Sequence, residues 1–368
     1  MSGYDALLLV SFGGPEGQDD VLPFLRNVTA GRGIPDERLE EVAHHYRHFG
    51  GVSPINDQNR ALLAALRAEL AARGMRLPVY WGNRNWAPYL ADAVQEAYDA
   101  GHRRLLAVVT SAYSSYSSCR QYREDLAAAL ATTGLAGEVT IDKVRQYFDH
   151  PGFVAPFVTG VRDALERAAE ALPDVDLARG AHVLFVTHSI PTSTAVTSGP
   201  PHAGLGEEGA YGAQHRAVAE AVTARLPRPV PWSLVYQSRS GAPTTPWLEP
   251  DVNDAIRALA AAGTRAVVIV PLGFVSDHME VMWDLDEEAM GTAREAGVWA
   301  ERTPTPGIDP AFVAGLVDLV TERTADAPRP ALTALGPWHD VCPAGCCANP
   351  RGARPAVAGA DEPIATGG

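Results

Sequence analysis

Short apolar runs bounded by turn residues recur at residues 6–10, 79–81, 105–109, 183–186, 234–236 and 266–270. Continuous apolar runs of this length predict strands buried on both faces of a parallel sheet. Between them the period changes to that of a helix. Leu62, Leu63, Leu66 and Leu70 share one face, and comparable amphipathic stretches cover residues 90–98, 154–172 and 252–262. This β-α-β-α alternation predicts right-handed crossovers and open, doubly wound sheets. Asp149-His150-Pro151-Gly152 interrupts both periods and divides the pattern into two sets of three units. The expected fold class is therefore α/β: two Rossmann-like, doubly wound parallel-sheet lobes, residues 1–148 and 149–326, with a cleft between them. Ligands of such sheets sit beyond the carboxyl ends of the strands, so the residues following each strand are the candidates for chemistry. After residue 327 the chain turns Pro, Ala and Gly rich. Residues 327–350 form a cysteine-bearing segment, and residues 351–368, nearly without large apolar side chains, are expected to be a disordered tail.

Composition removes several function classes. A chain of 368 residues with 46% hydrophobic and 20% charged residues is ordinary globular material, long enough for two packed units. The net charge of −14 repels polyanions, and no basic stripe carries interleaved aromatics, so nucleic acid is not an expected partner. The N-terminus lacks a basic region before its apolar run, and no stretch of about 18 apolar residues occurs. A cytoplasmic protein without a transmembrane segment is expected. In a reducing compartment, the four cysteines point toward metal or catalysis before disulfides.

Five places after strands or before helices carry polar groups of interest. Ser11-Phe12-Gly13-Gly14-Pro15-Glu16-Gly17 is a glycine turn without dinucleotide spacing, which alone reads as a tight turn. In Gly50-Gly51-Val52-Ser53-Pro54-Ile55-Asn56, Ser53 and Asn56 suit helix capping or the binding of ligand carboxylates. Residues 110–123 are dense in hydroxyls and aromatics, suited to an amphipathic planar ligand and equally to a self-bonded polar loop. Thr187-His188-Ser189 places an imidazole at a strand end, where a structural histidine is the ordinary case. After the last strand, Glu280, Asp284 and Glu288 fall at i, i+4 and i+8, forming one ridge of carboxylates on a helix. A solvated face would tolerate them, and a path for a divalent cation would use them. Finally, Cys119 joins Cys342, Cys346 and Cys347, the last three spaced C-x-x-x-C-C. Four thiolates suit a 2Fe-2S cluster first, zinc second and two disulfides third.

The series Phe12-Gly13-Gly14-Pro15-Glu16, Phe49-Gly50-Gly51-Val52-Ser53-Pro54, Thr187-His188-Ser189-Ile190-Pro191, Tyr236-Gln237-Ser238, Pro246-Trp247-Leu248-Glu249-Pro250-Asp251 and Phe274-Val275-Ser276-Asp277-His278-Met279-Glu280 resembles the ferrochelatases in order, from about residue 4 to 323. The resemblance implies a chelatase-like fold and a lyase of haem biosynthesis that inserts substrate Fe2+ into a porphyrin held between the lobes. His188 and Glu280 would be the catalytic pair and meet the iron, with Asp284 and Glu288 holding a possible second metal. Cys119, Cys342, Cys346 and Cys347 are similar to the ligands of cluster-bearing members. The soluble chain and its C-x-x-x-C-C tail look like the bacterial branch that uses coproporphyrin III. Ser53 and Tyr122, with Arg32, are the expected propionate partners. Phe12, also placed against the porphyrin, stands where some relatives of this branch carry a tyrosine able to meet the metal; a phenyl ring cannot ligate. A monomer in transient contact with neighbouring haem-pathway enzymes is expected. The competing readings are a protoporphyrin IX ferrochelatase, a haem or iron carrier, and a cobalt or sirohydrochlorin chelatase. A dehydrogenase comes last, for want of a phosphate fingerprint.

Overall fold

The computed structural model describes residues 3–360 except 32, 242, 243 and 326. Eight strands form two sheets: β1 (Ala6–Ser11), β2 (Val79–Asn83), β3 (Arg104–Val109) and β4 (Thr140–Lys143), then β5 (Ala181–His188), β6 (Trp232–Gln237), β7 (Ala266–Val270) and β8 (Trp299–Arg302). The orders are β2-β1-β3-β4 and β6-β5-β7-β8, the same topology twice, and every pairing is parallel. All six expected strand runs lie in the central positions or at β2 and β6. The fourth strand of each sheet, β4 and β8, is not signalled by an apolar run. Both are short outer strands with polar side chains, and β8 is half-buried along its whole length.

In each sheet the strand order reverses between the first and third strands, which is where open α/β sheets bind ligands. The residues after β1, β3, β5 and β7 therefore converge on two switch points. The glycine turn after β1 owes its composition to close packing. Gly13 has φ +81°, and a side chain on Gly14 would meet Ser53 and Ile55 at 2.7 and 2.8 Å.

Asp149-His150-Pro151-Gly152 is a helix start. His150 accepts a bond from the Gly152 amide at 3.1 Å, and Pro151 opens the helix Pro151–Ala171. Phe153, Phe157 and Val161 on that helix are buried in one continuous core with Leu7 and Val108 of the first sheet and Phe185 and Val268 of the second. The helix Pro310–Ala325 joins the same core through Phe312, Leu316 and Val320 and reaches back to the helix Ile55–Ala72, where Arg73 pairs with Asp318 at 2.5 Å. The two lobes thus share a core. None of the described helices is long and apolar enough to cross a membrane.

The tail departs from expectation. Residues 351–360 run back along the cysteine segment: the Ala360 amide donates to the Cys342 carbonyl at 2.8 Å, and Arg123 Nε donates to the Val357 carbonyl at 2.7 Å. Small side chains permit this close return, since a side chain at Gly359 would collide with Arg123. Residues 361–368 lie outside the described residues, as does Arg32.

Candidate active site and cysteine centre

His188 is the last residue of β5, and its carbonyl is fixed by a hydrogen bond from the Tyr211 hydroxyl at 2.7 Å. Its Nδ1–H donates to the Ser189 carbonyl at 2.5 Å, which leaves Nε2 facing Glu280 Oε2 at 3.5 Å. Burial alone would lower the imidazolium pKa, but Glu280 and the Ser189 carbonyl outweigh it and raise it to about 9. Burial likewise pushes the Glu280 carboxyl up, and the facing His188 overcomes this to hold it at about 2. The side chains keep 32% and 51% of their surface open to solvent, so water screens part of the attraction. With Glu280 opposite, the pair favours the imidazolium–carboxylate form at neutral pH.

Asp284 sits next to this pair. Burial raises its pKa to about 7, opposed by the Ser238 hydroxyl and reinforced by Glu280 and Glu288. Ser238 donates to Asp284 Oδ2, and Gln237 Nε2 donates to the same oxygen at 3.1 Å. Ser238 adopts φ 60°, in the left-handed region that disfavours a non-glycine residue, and it is strained at the point where it holds a carboxylate. The segment is not a continuous α-helix. After Met279–Val281 the residues Met282–Ala289 wind as a π-helix, a form that concentrates at functional sites. Glu288 lies exposed and accepts from Trp283 Nε1 at 2.9 Å. His188, Glu280 and Asp284 therefore form three proton-holding groups of graded affinity at the carboxyl end of the second sheet.

The expected propionate partners Ser53 and Tyr122 both belong to the first lobe. Ser53 is buried under Gly14, with its amide donating to the Pro15 carbonyl at 2.9 Å. Tyr122 is buried with the Arg84 guanidinium 4.5 Å over its ring, and Arg84 also lies 5.6 Å over the Phe12 ring. Ser53 thus packs against the glycine turn and Tyr122 against Arg84. Asn56 does not cap its helix; it donates to the Gly14 carbonyl at 3.2 Å. In the hydroxyl-rich loop, Ser115 caps the turn Tyr116–Arg120 by accepting from the Ser118 amide. A groove of about 740 Å³ lies along the outer edge of β2, lined by Leu63, Arg67 and Trp81, with none of the residues above in its wall.

The four cysteines gather into one buried cluster. All four are free and buried. Cys119 and Cys346 each neighbour both Cys342 and Cys347, closing a ring of sulfurs. Cys119 comes from the turn after β3, and the Gly199 amide donates to Cys347 Sγ at 3.1 Å. His339 adds a neighbour that cysteine counting does not find. Its Nε2 lies 3.8 Å from Cys346 Sγ, and the ligand atoms of His339, Cys342 and Cys346 all fall within 4.8 Å of one another. A dry ring of sulfurs with an imidazole at its edge fits a thiolate-bound metal centre.

Two repeated parallel sheets with their polar residues gathered at the switch points define a chelatase-fold protein. SirB from Bacillus subtilis with Fe3+ shares the fold at a TM-score of 0.51 and 11% identity, over 87% of this chain and 96% of that one. The chain belongs to the ferrochelatase family: the Ferrochelatase family model matches residues 4–324. It is 64% identical to the coproporphyrin III ferrochelatase of Leifsonia xyli subsp. xyli, covering 97% of this chain and 94% of the relative. It is 58% identical to that of Streptomyces griseus subsp. griseus, over 98% and 97%.

Proposed function

We propose that the protein inserts Fe2+ into coproporphyrin III, with the macrocycle held at the switch points between the two sheets. The observation that carries this reading is the row His188, Glu280 and Asp284 beside the strand ends, in a chain 64% identical to a coproporphyrin III ferrochelatase. Metallation removes two pyrrole N–H protons without any change in oxidation state, so it needs bases rather than an electron donor. The resting pair holds one proton between His188 and Glu280. Approach of Fe2+ to the Glu280 carboxylate weakens its hold on the imidazolium, and the proton passes to Asp284, whose pKa of about 7 lets it accept and release at neutral pH. Neutral Nε2 then accepts a pyrrole proton, and the second leaves by the same row. Glu288 extends the row toward solvent as a site where a hydrated cation can wait. Phe12 supplies an apolar wall, while Ser53 and Tyr122, with Arg32, are the proposed partners of the propionates.

A carrier would not need this graded row of bases. Anaerobic mixing of the protein with Fe2+ and either coproporphyrin III or protoporphyrin IX, followed by loss of the free-porphyrin absorbance, tests the reading. Faster loss of coproporphyrin is the expected result. A protoporphyrin preference keeps the reaction and changes the substrate; tight binding of the iron product with no metallation of either moves the assignment to a carrier.

The sign of the pH dependence follows from the pair. His188 accepts a proton only when neutral, and its raised pKa makes that form scarce below about pH 9. kcat/KM is therefore expected to climb from pH 7 toward pH 9. Glu280→Gln removes the cause of the raised pKa, so the rising limb moves to lower pH while the maximum rate falls. A limb that stays in place in this variant would dissociate His188 from it.

For the cysteine ring we propose a 2Fe-2S cluster on Cys119, Cys342, Cys346 and Cys347. When bound it supplies a one-electron store, which no insertion step requires. Zinc held by His339, Cys342, Cys346 and one further thiolate is the second reading, favoured by the 3.8 Å approach of His339. The cytoplasmic setting, the monomeric state and contact with neighbouring haem-pathway enzymes belong to the same proposal.

A further inference from the structure

The segment that carries Glu280 and Asp284 is held from both outer strands of the second sheet, β6 and β8. Gln237, the last residue of β6, donates through Nε2 to the Glu280 carbonyl and to Asp284 Oδ2, both at 3.1 Å, and the Ser238 hydroxyl donates to the same carboxylate oxygen. Arg302, the last residue of β8, holds it from the other side. Nε and Nη2 donate to the two oxygens of Asp286 at 2.5 and 3.1 Å, and Nη1 and Nη2 to the two oxygens of Asp277 at 3.2 and 3.4 Å. Nη1 also donates to the Thr303 carbonyl at 3.4 Å. A guanidinium has five N–H donors, so every one of them has an acceptor.

The two carboxylates bracket the row, Asp277 before Glu280 and Asp286 after Asp284. Asp277 is fixed in turn by the Thr305 hydroxyl at 3.1 Å, and its amide donates to Gln58 Oε1 of the first lobe at 2.8 Å. An anchor is needed here for two reasons. Carboxylates four residues apart on one helix repel, which disfavours the segment by itself. A π-helix is ordinarily a single-turn bulge, whereas this one is sustained from Met282 to Ala289. The Arg302 fork reaches Asp286 inside that stretch and Asp277 ahead of it. The side chains of Arg302 and Asp277 are 16% and 21% exposed, so water screens them less than an open surface pair. A lysine, with one compact ammonium, cannot grip two carboxylates bidentately.

We propose that Arg302 is a positioning residue for metal insertion: it anchors the π-helical segment on the β8 side, opposite Gln237 and Ser238, and so holds Glu280 and Asp284 in register with His188. The proposal rests on reading His188, Glu280 and Asp284 as the acid–base row. Without the anchor the segment relaxes and Glu280 leaves its place 3.5 Å from Nε2. A displacement of about 1 Å in such a site costs up to ~10² in rate.

Two readouts on the full-length protein test this. Turnover is counted per porphyrin-binding site, so that a loss of folded protein does not register as a loss of rate. Trp283 reports the position of the segment, because it lies within it, donates to Glu288 at 2.9 Å and stacks on His45 of the first lobe at 4.0 Å. Its emission is isolated by subtracting the spectrum of the same protein carrying Trp283→Phe. In Arg302→Met, kcat per site is expected to fall by ~10–10² with the porphyrin KM within a few-fold of wild type, and the Trp283 emission is expected to shift. Arg302→Lys should fall between the two. Asp286→Asn should match Arg302→Met, and the double variant should be no slower than either, as residues acting through one contact are not additive. If Arg302→Met yields no folded protein, Asp286→Asn carries the same readings with Arg302 still on Asp277. Unchanged Trp283 emission, whatever the rate, overturns the proposal. A shifted emission with turnover within twofold of wild type overturns it where His188→Ala is inactive in the same assay, and overturns the reading of the row where His188→Ala is active.

Discussion

Replacing His188 by alanine is expected to lower kcat for Fe2+ insertion by ~10²–10⁴, the ordinary worth of a positioned base, while porphyrin binding stays within a few-fold of wild type. Truncation should not disturb the fold. The His188 backbone is fixed by pairing with Gln237 of β6 and by the Tyr211 hydroxyl, and neither bond involves the imidazole. The chemistry is hit twice. No acceptor remains for the pyrrole proton, and Glu280 loses the cation that holds its pKa at about 2, so burial drives it toward the neutral acid, a poorer partner for iron. Asp284 persists but, held by Ser238 and Gln237, cannot move into the place of the imidazole. Stopped-flow metallation and equilibrium porphyrin titration on the same preparation separate the two effects. Turnover retained within about tenfold would sink the assignment of His188 as the base.

How far the site could be read from sequence depends on whether a residue's partner is local. His188 and the glycine turn follow apolar strand runs, so the switch-point rule finds them directly. The grouping of Cys119 with the three later cysteines is legible from their number alone. His339 is not, because its relation to the sulfurs exists only once the chain is folded. Ser53 and Tyr122 have a packing context that residue type does not signal. Only the folded chain places Ser53 against Gly14 and Tyr122 against Arg84. Spacing placed Glu280, Asp284 and Glu288 on one ridge. The π-helical winding from Met282 and the strained Ser238 that pins Asp284 carry no signal in residue type, since serine has no particular preference for φ 60°.

The shared core also makes a stability prediction, because it encloses a charged clamp between the lobes. Arg145, just after β4, meets Glu322 of the helix Pro310–Ala325 through Nε at 2.8 Å and Nη2 at 3.0 Å, and both side chains are essentially closed to solvent. Nη2 also donates to the Pro330 carbonyl at 2.9 Å, and Asp149 lies 3.5 Å from Nη1. Removing Glu322 leaves the buried guanidinium with the more distant Asp149 as its remaining anion, and loss of one partner of a buried pair costs roughly 3–5 kcal/mol. Glu322→Ala is therefore expected to lower Tm by about 4–6 °C in a chain of this size. The loss would come from the stranded guanidinium more than from the bond itself, and a second substitution separates the two. Arg145→Met combined with Glu322→Leu removes both charges, fills the space with apolar atoms and leaves Asp149 its Thr333 bond, so it should recover part of the Tm lost in Glu322→Ala. If the double variant melts as low as Glu322→Ala, the pair is itself net stabilising; if Glu322→Ala melts within about one degree of wild type, the clamp contributes nothing and the apolar core alone joins the lobes.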